Sequence, residues 1–173
     1  MSVQNQFKVP RRRVFNSLIA VGLASVALLS TNGHAATNTE SKLDRTIVNP
    51  WDWREYMGLV QGNEVKNVSS IFFVGGQASV DEYAATVHPG DMGKQIAHAF
   101  DKLEIVLGEA GYELSDVVRL TYYTTDIAKF RKEFGPTLER LKAKNCNPSA
   151  ALIGVAELAN PDLMFELEAT AVK

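Results

Sequence analysis

Hydrophobic residues in the C-terminal two thirds of the chain recur with two different periods. Over residues 92–110, apolar side chains return every three or four positions, which predicts one amphipathic helix ending before Gly111. A second run with this spacing covers residues 126–144 and begins at Asp126, a residue type that favours the N-cap. Pro136 lies inside the second run, so we expect this helix to kink or split there.

Runs that are rich in β-branched and aromatic residues predict five strands. These runs are residues 56–61, 70–74, 117–124, 150–155 and 163–171. A turn is predicted near Gly62-Asn63, between the first two strands. The element order is therefore β-β-α-β-α-β-β, which predicts a single α+β domain with both helices on one face of the sheet.

The N-terminal residues follow a different pattern, typical of an export signal. Arg11–Arg13 precede an apolar run, Leu18–Leu29, and Ala35 ends a stretch of small residues that suits signal peptidase. The apolar run is about a dozen residues, whereas a helix that spans a bilayer needs roughly 20. We therefore expect residues 1–35 to be a cleaved signal peptide, and no stable membrane anchor to remain afterwards.

Two export routes fit this signal. Arg12-Arg13 matches a twin-arginine pattern, and the same residues suit a general secretory signal. Either route predicts a periplasmic or secreted protein. Residues 36–53 are polar and aperiodic and predict a mobile N-terminal arm, which leaves residues 54–173 as the folded domain.

Removing the signal changes the charge of the chain. All 20 acidic residues but only 14 of the 18 basic residues follow Ala35, so the mature net charge is −6 rather than −2. Nucleic-acid binding depends on clustered Lys and Arg, and this acidic domain has no basic stripe. The sequence therefore argues against a nucleic-acid partner.

Cysteine and histidine usage limits the chemistry. Cys146 is the only cysteine, so the chain can form no internal disulfide and no cysteine-based metal cluster. Only His88 and His98 remain after processing as bases for a reactive thiol. We expect Cys146 to be structural, and we predict neither a metal nor a cofactor.

Four segments, in order and with similar spacing, resemble one known family. They are Phe72–Gln77 (FFVGGQ), Ala99–Gly111 (AFDKLEIVLGEAG), Val117–Ile127 (VVRLTYYTTDI) and Phe165–Val172 (FELEATAV). From about residue 56 to residue 173 the chain resembles the Rid (reactive intermediate/imine deaminase, RidA/YjgF-like) superfamily. The resemblance implies a chorismate-mutase-like subunit with a mixed sheet, a homotrimer, and three clefts between subunits that take small-molecule ligands.

Active members of that family hydrolyse enamines and imines released by pyridoxal-phosphate enzymes. Their clefts use an arginine in a P-x-R segment, whose planar fork suits a substrate carboxylate. Here the segment is Pro148-Ser149-Ala150, so Ala150 replaces the arginine. Arg119 is the obvious candidate to replace the missing arginine. The simpler explanation for Arg119 is a charged residue that faces solvent on a strand.

The other family positions are retained. Glu166 matches the first glutamate of the terminal E-x-E pair, which implies a catalytic role in positioning water. Tyr56, the Gly75-Gly76-Gln77 segment and Ala150-Ala151 match positions that line the ligand cleft. Structural explanations remain open: a surface carboxylate for Glu166, a packing aromatic for Tyr56, and a bulge or tight turn for the glycines.

Three functions therefore stay open for the exported protein. One is a hydrolase of the deaminase type, acting on a small imine-like or enamine-like metabolite. The alternative is a trimeric protein that binds a small molecule and has lost the chemistry. Ribonuclease or translation inhibition, also known in the family, is disfavoured by export and by the acidic charge.

Overall fold

A computed structural model describes residues 43–51, 53, 57 and 59–173, which lie in one compact unit of the chain. Six strands, three α-helices and one short 3-10 helix, Leu114–Asp116, occur in this described part. In chain order the strands and α-helices are β1 Asp44–Val48, β2 Gly62–Lys66, β3 Ile71–Ala78, α1 Met92–Glu109, β4 Val117–Thr124, α2 Ile127–Glu133, α3 Gly135–Ala143, β5 Ser149–Gly154 and β6 Phe165–Val172. None of the described helices combines the length and apolar character needed to cross a membrane.

The main sheet has four strands in the order β3-β6-β4-β5. β6 is antiparallel to both β3 and β4, whereas β4 and β5 are parallel and are joined by a crossover through α2 and α3. α1 packs against β3 and β6 and contacts α2. The predicted α+β architecture, a mixed sheet with helices over one face, is confirmed.

The first helix forms as its hydrophobic period predicts. The Asp91 carboxylate caps its N-terminus and accepts a hydrogen bond from the Lys94 amide at 3.0 Å. Ile96, Phe100, Leu103 and Leu107, spaced by three or four residues, are fully buried. Gly111 follows the C-cap with a φ of +77°, a conformation that glycine adopts without steric cost.

The second predicted helix is split. Asp126 caps α2, which ends at Glu133, and α3 begins at Gly135. Pro136 lies in the first turn of α3, where its missing N–H removes no helical hydrogen bond. Phe134 occupies the joint between the two short helices.

The N-terminal expectations were wrong in two respects. β1 lies inside the segment that was predicted to be a mobile N-terminal arm. β2 lies where a turn was predicted near Gly62-Asn63, and the described residues of the predicted strand 56–61 form only one isolated bridge, from Val60 to Ser149. The chain turns instead at Asn67, whose φ is +57°. β1 and β2 are short and mostly exposed, so they show no hydrophobic alternation in the sequence.

One half-buried cation, Arg45, fixes this β1–β2 hairpin to the domain. The Arg45 Nε donates to Asn63 Oδ1 at 2.8 Å, and its two terminal nitrogens donate to the carbonyl oxygens of Ser115, Val117 and Asn147. Partial burial lowers the pKa of Arg45. A planar fork can satisfy several carbonyls at once, so the hairpin is held by a side chain rather than by an apolar face.

We predict that Arg45→Ala lowers the free energy of unfolding by about 1–2 kcal/mol, because it leaves carbonyl groups without their charged donor. Lys66→Ala removes an exposed cation from the same hairpin and should change it little. Urea denaturation of the two variants measures the difference. Equal midpoints would contradict the anchoring role of Arg45.

Candidate functional site

Glu166 and Gly76 lie in direct contact. The antiparallel pairing of β3 with β6 shifts register between Val74 and Gln77, which forms a bulge at the two glycines. A Cβ added at Gly76 would lie 1.8 Å from Glu166 Oε1 and 2.9 Å from its Cδ. The Glu166 carboxylate therefore occupies the space that a Cβ at position 76 would take.

Gln77 closes this bulge locally. Its side-chain amide donates to the Gly75 carbonyl at 3.2 Å. The structure thus brings together four of the predicted site residues: Gly75, Gly76, Gln77 and Glu166. It also contains the β-bulge that was the alternative, structural explanation for the two glycines. Tyr56, the other predicted residue from the N-terminal side, lies outside the described residues.

Glu166 faces away from the helices. Its neighbours on β6, Phe165 and Leu167, are fully buried under the helices, and alternate residues of a strand point to opposite faces. We call the helix-free side of the sheet the open face. Tyr123 lies directly opposite Glu166 on this face, in the pairing of β4 with β6.

Tyr123 was not among the predicted site residues. Desolvation is the main cause of the raised pKa of Tyr123, and the nearby Glu168 and Glu166 carboxylates raise it further. The Arg119 cation opposes this rise. Alternation along β4 could have identified it, since Tyr123 shares a face with Arg119. Arg119 is an exposed residue of the open face, which agrees with the simpler explanation for its charge.

Ala150 and Ala151 lie on β5, on the far side of β4 from Glu166. Ala150 pairs with Leu120 and packs against the core beneath the helices. Ala151 is exposed and pairs with Thr121. Within one chain, Ala150 and Glu166 are therefore on opposite faces of the sheet and do not form a single cleft.

Ala150 instead lines a cavity of about 680 Å³, which we call the β5 cavity. It lies among β5, α2, α3 and the described residues that precede β2. Its size falls in the range of about 300–1,000 Å³ that is typical of small-molecule sites. The described lining residues are mostly apolar or aromatic: Trp53, Met57, Leu59, Tyr122, Ile127, Phe130, Arg131, Phe134, Gly135, Leu138, Ala150, Ala151 and Leu152.

Two polar groups distinguish the β5 cavity. Tyr122 is fully buried, its hydroxyl has no hydrogen-bond partner among the described residues, and burial raises its pKa. Arg131 is the one charged residue in the described lining. Arg131 was not among the predicted site residues, because its position in the sequence gave no sign that it would lie beside β5.

The remaining nucleophile candidate is inert. Cys146 is buried, and burial raises its pKa to about 12, although the nearby Arg45 opposes the rise. A thiol with this pKa is protonated at neutral pH and is a poor nucleophile.

His98, one of the two histidines considered as a base, lies 3.0 Å from Ser79 Oγ. The Ser79 hydroxyl also donates to the Val87 carbonyl.

No group of His, Cys, Asp and Glu in the described part of the chain could hold a metal ion. A mixed sheet with a bulged edge, a carboxylate over glycine and a cavity beside the parallel strand pair defines a small α+β protein with a cavity large enough for a small molecule. The comparisons with known proteins are consistent with this class.

Residues 59–173 match the family model described as Endoribonuclease L-PSP, and the chain belongs to this family, which includes the Rid, or YjgF, proteins. It is similar to a RutC family protein of Pyrococcus abyssi, with 30% identity over 106 residues, 61% of this chain and 81% of that one. A RutC family protein of Aquifex aeolicus is 28% identical, covering 64% and 87%.

Solved structures agree with the fold. The Rid family protein YyfB of Yersinia pestis superposes with a TM-score of 0.67 and 26% identity, over 75% of this chain and 98% of that one. The YjgF gene product of E. coli superposes with a TM-score of 0.54 and 24% identity, covering 66% and 87%. The second likeness shows the fold alone.

The contact between Glu166 and Gly76 gives a testable pair of variants. Both Gly75 and Gly76 lie outside the positive-φ region, so alanine suits the backbone at either position. Gly76→Ala should displace the Glu166 carboxylate, at a stability cost of less than about 1 kcal/mol because that side chain can rotate away. Gly75→Ala, with nothing within 4 Å of its added Cβ, should leave Glu166 in place.

Crystal structures of the two variants, together with thermal denaturation, measure this difference. An unmoved Glu166 in Gly76→Ala would show that the carboxylate is not seated on the glycine.

Proposed function

We propose that this Rid-family chain binds a small organic molecule in the β5 cavity and has lost most of the arginine-dependent deaminase chemistry. The observation that carries this proposal is the cavity itself, which is largely apolar and has Ala150 in its wall. The resemblance implies that active members place an arginine at this position. Alanine offers neither a charge nor a donor there.

The loss of such an arginine has a large effect on rate. Removing a charged hydrogen bond from a reacting substrate costs on the order of 1.5–3 kcal/mol or more, and each 1.36 kcal/mol is about tenfold in rate. Arg119 cannot replace the missing group within one chain, because it lies on the open face. The site is therefore better suited to binding than to deamination.

A hydrolase is the second candidate, and Glu166 favours it. Its carboxylate is retained, half-buried, and held over Gly76, where a fixed position for water could form. In this candidate the substrate remains a small imine-like or enamine-like metabolite. A hydrolase of this kind would need a cation from a position other than 150 to hold the substrate carboxylate.

Binding of a neutral aromatic probe tests the first candidate. Phenylacetamide should bind the wild type with a dissociation constant of about a millimolar or below. Ala150→Trp fills the cavity and should abolish this binding, whereas Ala156→Trp, at an exposed alanine outside the lining, should not. Calorimetry or ligand-observed NMR gives the measurement. Equal binding by both variants would place the probe elsewhere.

Imine hydrolysis distinguishes the two candidates. Wild-type protein should hydrolyse 2-aminoacrylate-type imines poorly, Ala150→Arg should raise the rate, and Glu166→Ala added to it should remove the gain. Robust wild-type activity that is lost in Glu166→Ala would favour the hydrolase. Robust activity that survives Glu166→Ala would contradict both candidates.

We further propose a homotrimer. Apolar side chains are exposed on the open face, where 75% of the surface of Phe73 and 54% of that of Ile71 contact solvent. Such a face is typical of an interface between subunits. An assembly would also allow the Glu166 face of one subunit to approach the Ala150 strand of another.

Light scattering tests the assembly. The mature protein should have three times the mass of the chain, and Phe73→Glu should shift it towards the monomer because it buries a charge at the interface. Tyr83→Glu, at a more exposed aromatic of the loop after β3, should leave the trimer intact. A wild-type monomer would overturn this proposal.

Export is also part of the proposal. It rests on the basic, apolar and small-residue pattern of residues 1–35. N-terminal sequencing of the mature protein should find Ala36 or a nearby residue, and a product that retains Met1 in the cytoplasm would contradict it.

A further inference from the structure

We infer that Arg131 is the anion-binding side chain of the β5 cavity, and that the ligand is a monocarboxylic acid with an aromatic or branched aliphatic body and no amino group. This inference rests on the proposed binding function and names the class of its ligand. Arg131 lies on α2 and lines the same cavity as Ala150, the position where the resemblance implies that the family places its arginine.

The body of the ligand follows from the walls. Phe130 and Phe134 line one side from the helices, and their ring centroids lie 5.8 Å and 5.3 Å from that of Tyr122. Leu138 and Leu152 extend the apolar surface. Aromatic walls of this kind favour flat or branched apolar groups, and such burial contributes roughly 25 cal/mol per Å².

The charge of the ligand follows from the cations nearby. Arg140 of α3 is committed to Asp101 and Glu104, each at 2.7 Å, and the Lys129 ammonium donates to the Gly90 carbonyl at 2.7 Å. Arg131 is exposed and forms no salt bridge with any described residue. Its guanidinium is therefore available to an anion at the mouth of the cavity.

The described lining also disfavours ligands that carry an amino group or a phosphate group. No described residue of the wall is acidic, so none of the described lining residues would offer a carboxylate to an ammonium group on the ligand. A single cation also suits one negative charge better than a phosphate dianion, which usually binds several donors. The chemistry therefore favours a monocarboxylate over an amino acid or a phosphate ester.

A helix-end charge is the competing explanation for Arg131. Cations near the C-terminus of a helix interact favourably with its exposed carbonyl groups. Lys132 is the neighbouring cation in the last turn of α2, is also exposed, and is outside the described lining of the cavity. It therefore provides a matched control, because the same charge is lost from the same turn.

Phenylacetate and phenylacetamide, which differ in charge and little in shape, form the test pair. Calorimetric titration of the mature protein should show phenylacetate binding about tenfold more tightly than the amide, as expected for one charge-assisted contact. Arg131→Met should reduce this acid-to-amide preference to about one. Lys132→Met should keep it, and Arg131→Lys should retain part of it.

The outcomes separate this inference from the proposed function. If both probes bind and Ala150→Trp abolishes both, but Arg131→Met preserves the acid preference, the cavity binds ligands and the anchor is wrong. If Arg131→Met and Lys132→Met reduce the preference for phenylacetate equally, only a general charge effect is present. That result would also contradict the role of Arg131 as the anion-binding side chain. Binding of neither probe by the wild type would contradict the cavity function and the anchor together.

Discussion

The ring of Tyr122 joins most of the layers of the domain. It lies on β4, which has a strand on either side, and it contacts Phe100 of α1, Phe130 of α2 and Phe165 of β6 at centroid distances of 6.2, 5.8 and 6.0 Å. The same side chain lines the β5 cavity, so the floor of the cavity is the hydrophobic core itself. Because core packing is dense and resists changes in volume, the shape of the cavity is tied to the stability of the fold.

Strand alternation divides the positions that match the family motifs between two faces of the sheet. Glu166 and the glycine bulge lie on the open face, whereas Ala150 packs towards the helices. A period of two leaves no freedom in this assignment, because a one-residue shift of β6 would expose Phe165 and Leu167. In the proposed trimer, the geometry of a shared cleft would therefore be decided by how the subunits meet.

Much of the fold could be predicted from the sequence because its signals are local. α1, β4 and β6 each carry a strong hydrophobic period, and Pro136 marked the split between α2 and α3. β1 could not be predicted, because hydrogen bonds from Arg45 to carbonyls distant in sequence hold it in place. These partners are known only once the chain has folded.

Of the candidate site, the part built from paired strands could be predicted from the sequence, and the part built by tertiary packing could not. The contact of Glu166 with Gly76 follows from two motifs on paired strands, whereas the β5 cavity depends on the packing of helices against an edge strand. Resemblance drew attention to Ala150 as a loss. Phe134 and Arg131 line the same cavity, and this is visible only in three dimensions.

The single thiol has a consequence for life in an oxidising compartment. Disulfide exchange requires a thiolate that can reach its partner, and Cys146 is buried with a pKa of about 12. If the protein is exported as proposed, oxidants outside the cytoplasm would find no reactive thiol on the native chain. Any association of its subunits would then be non-covalent, so it would respond to concentration and temperature and be insensitive to the redox surroundings.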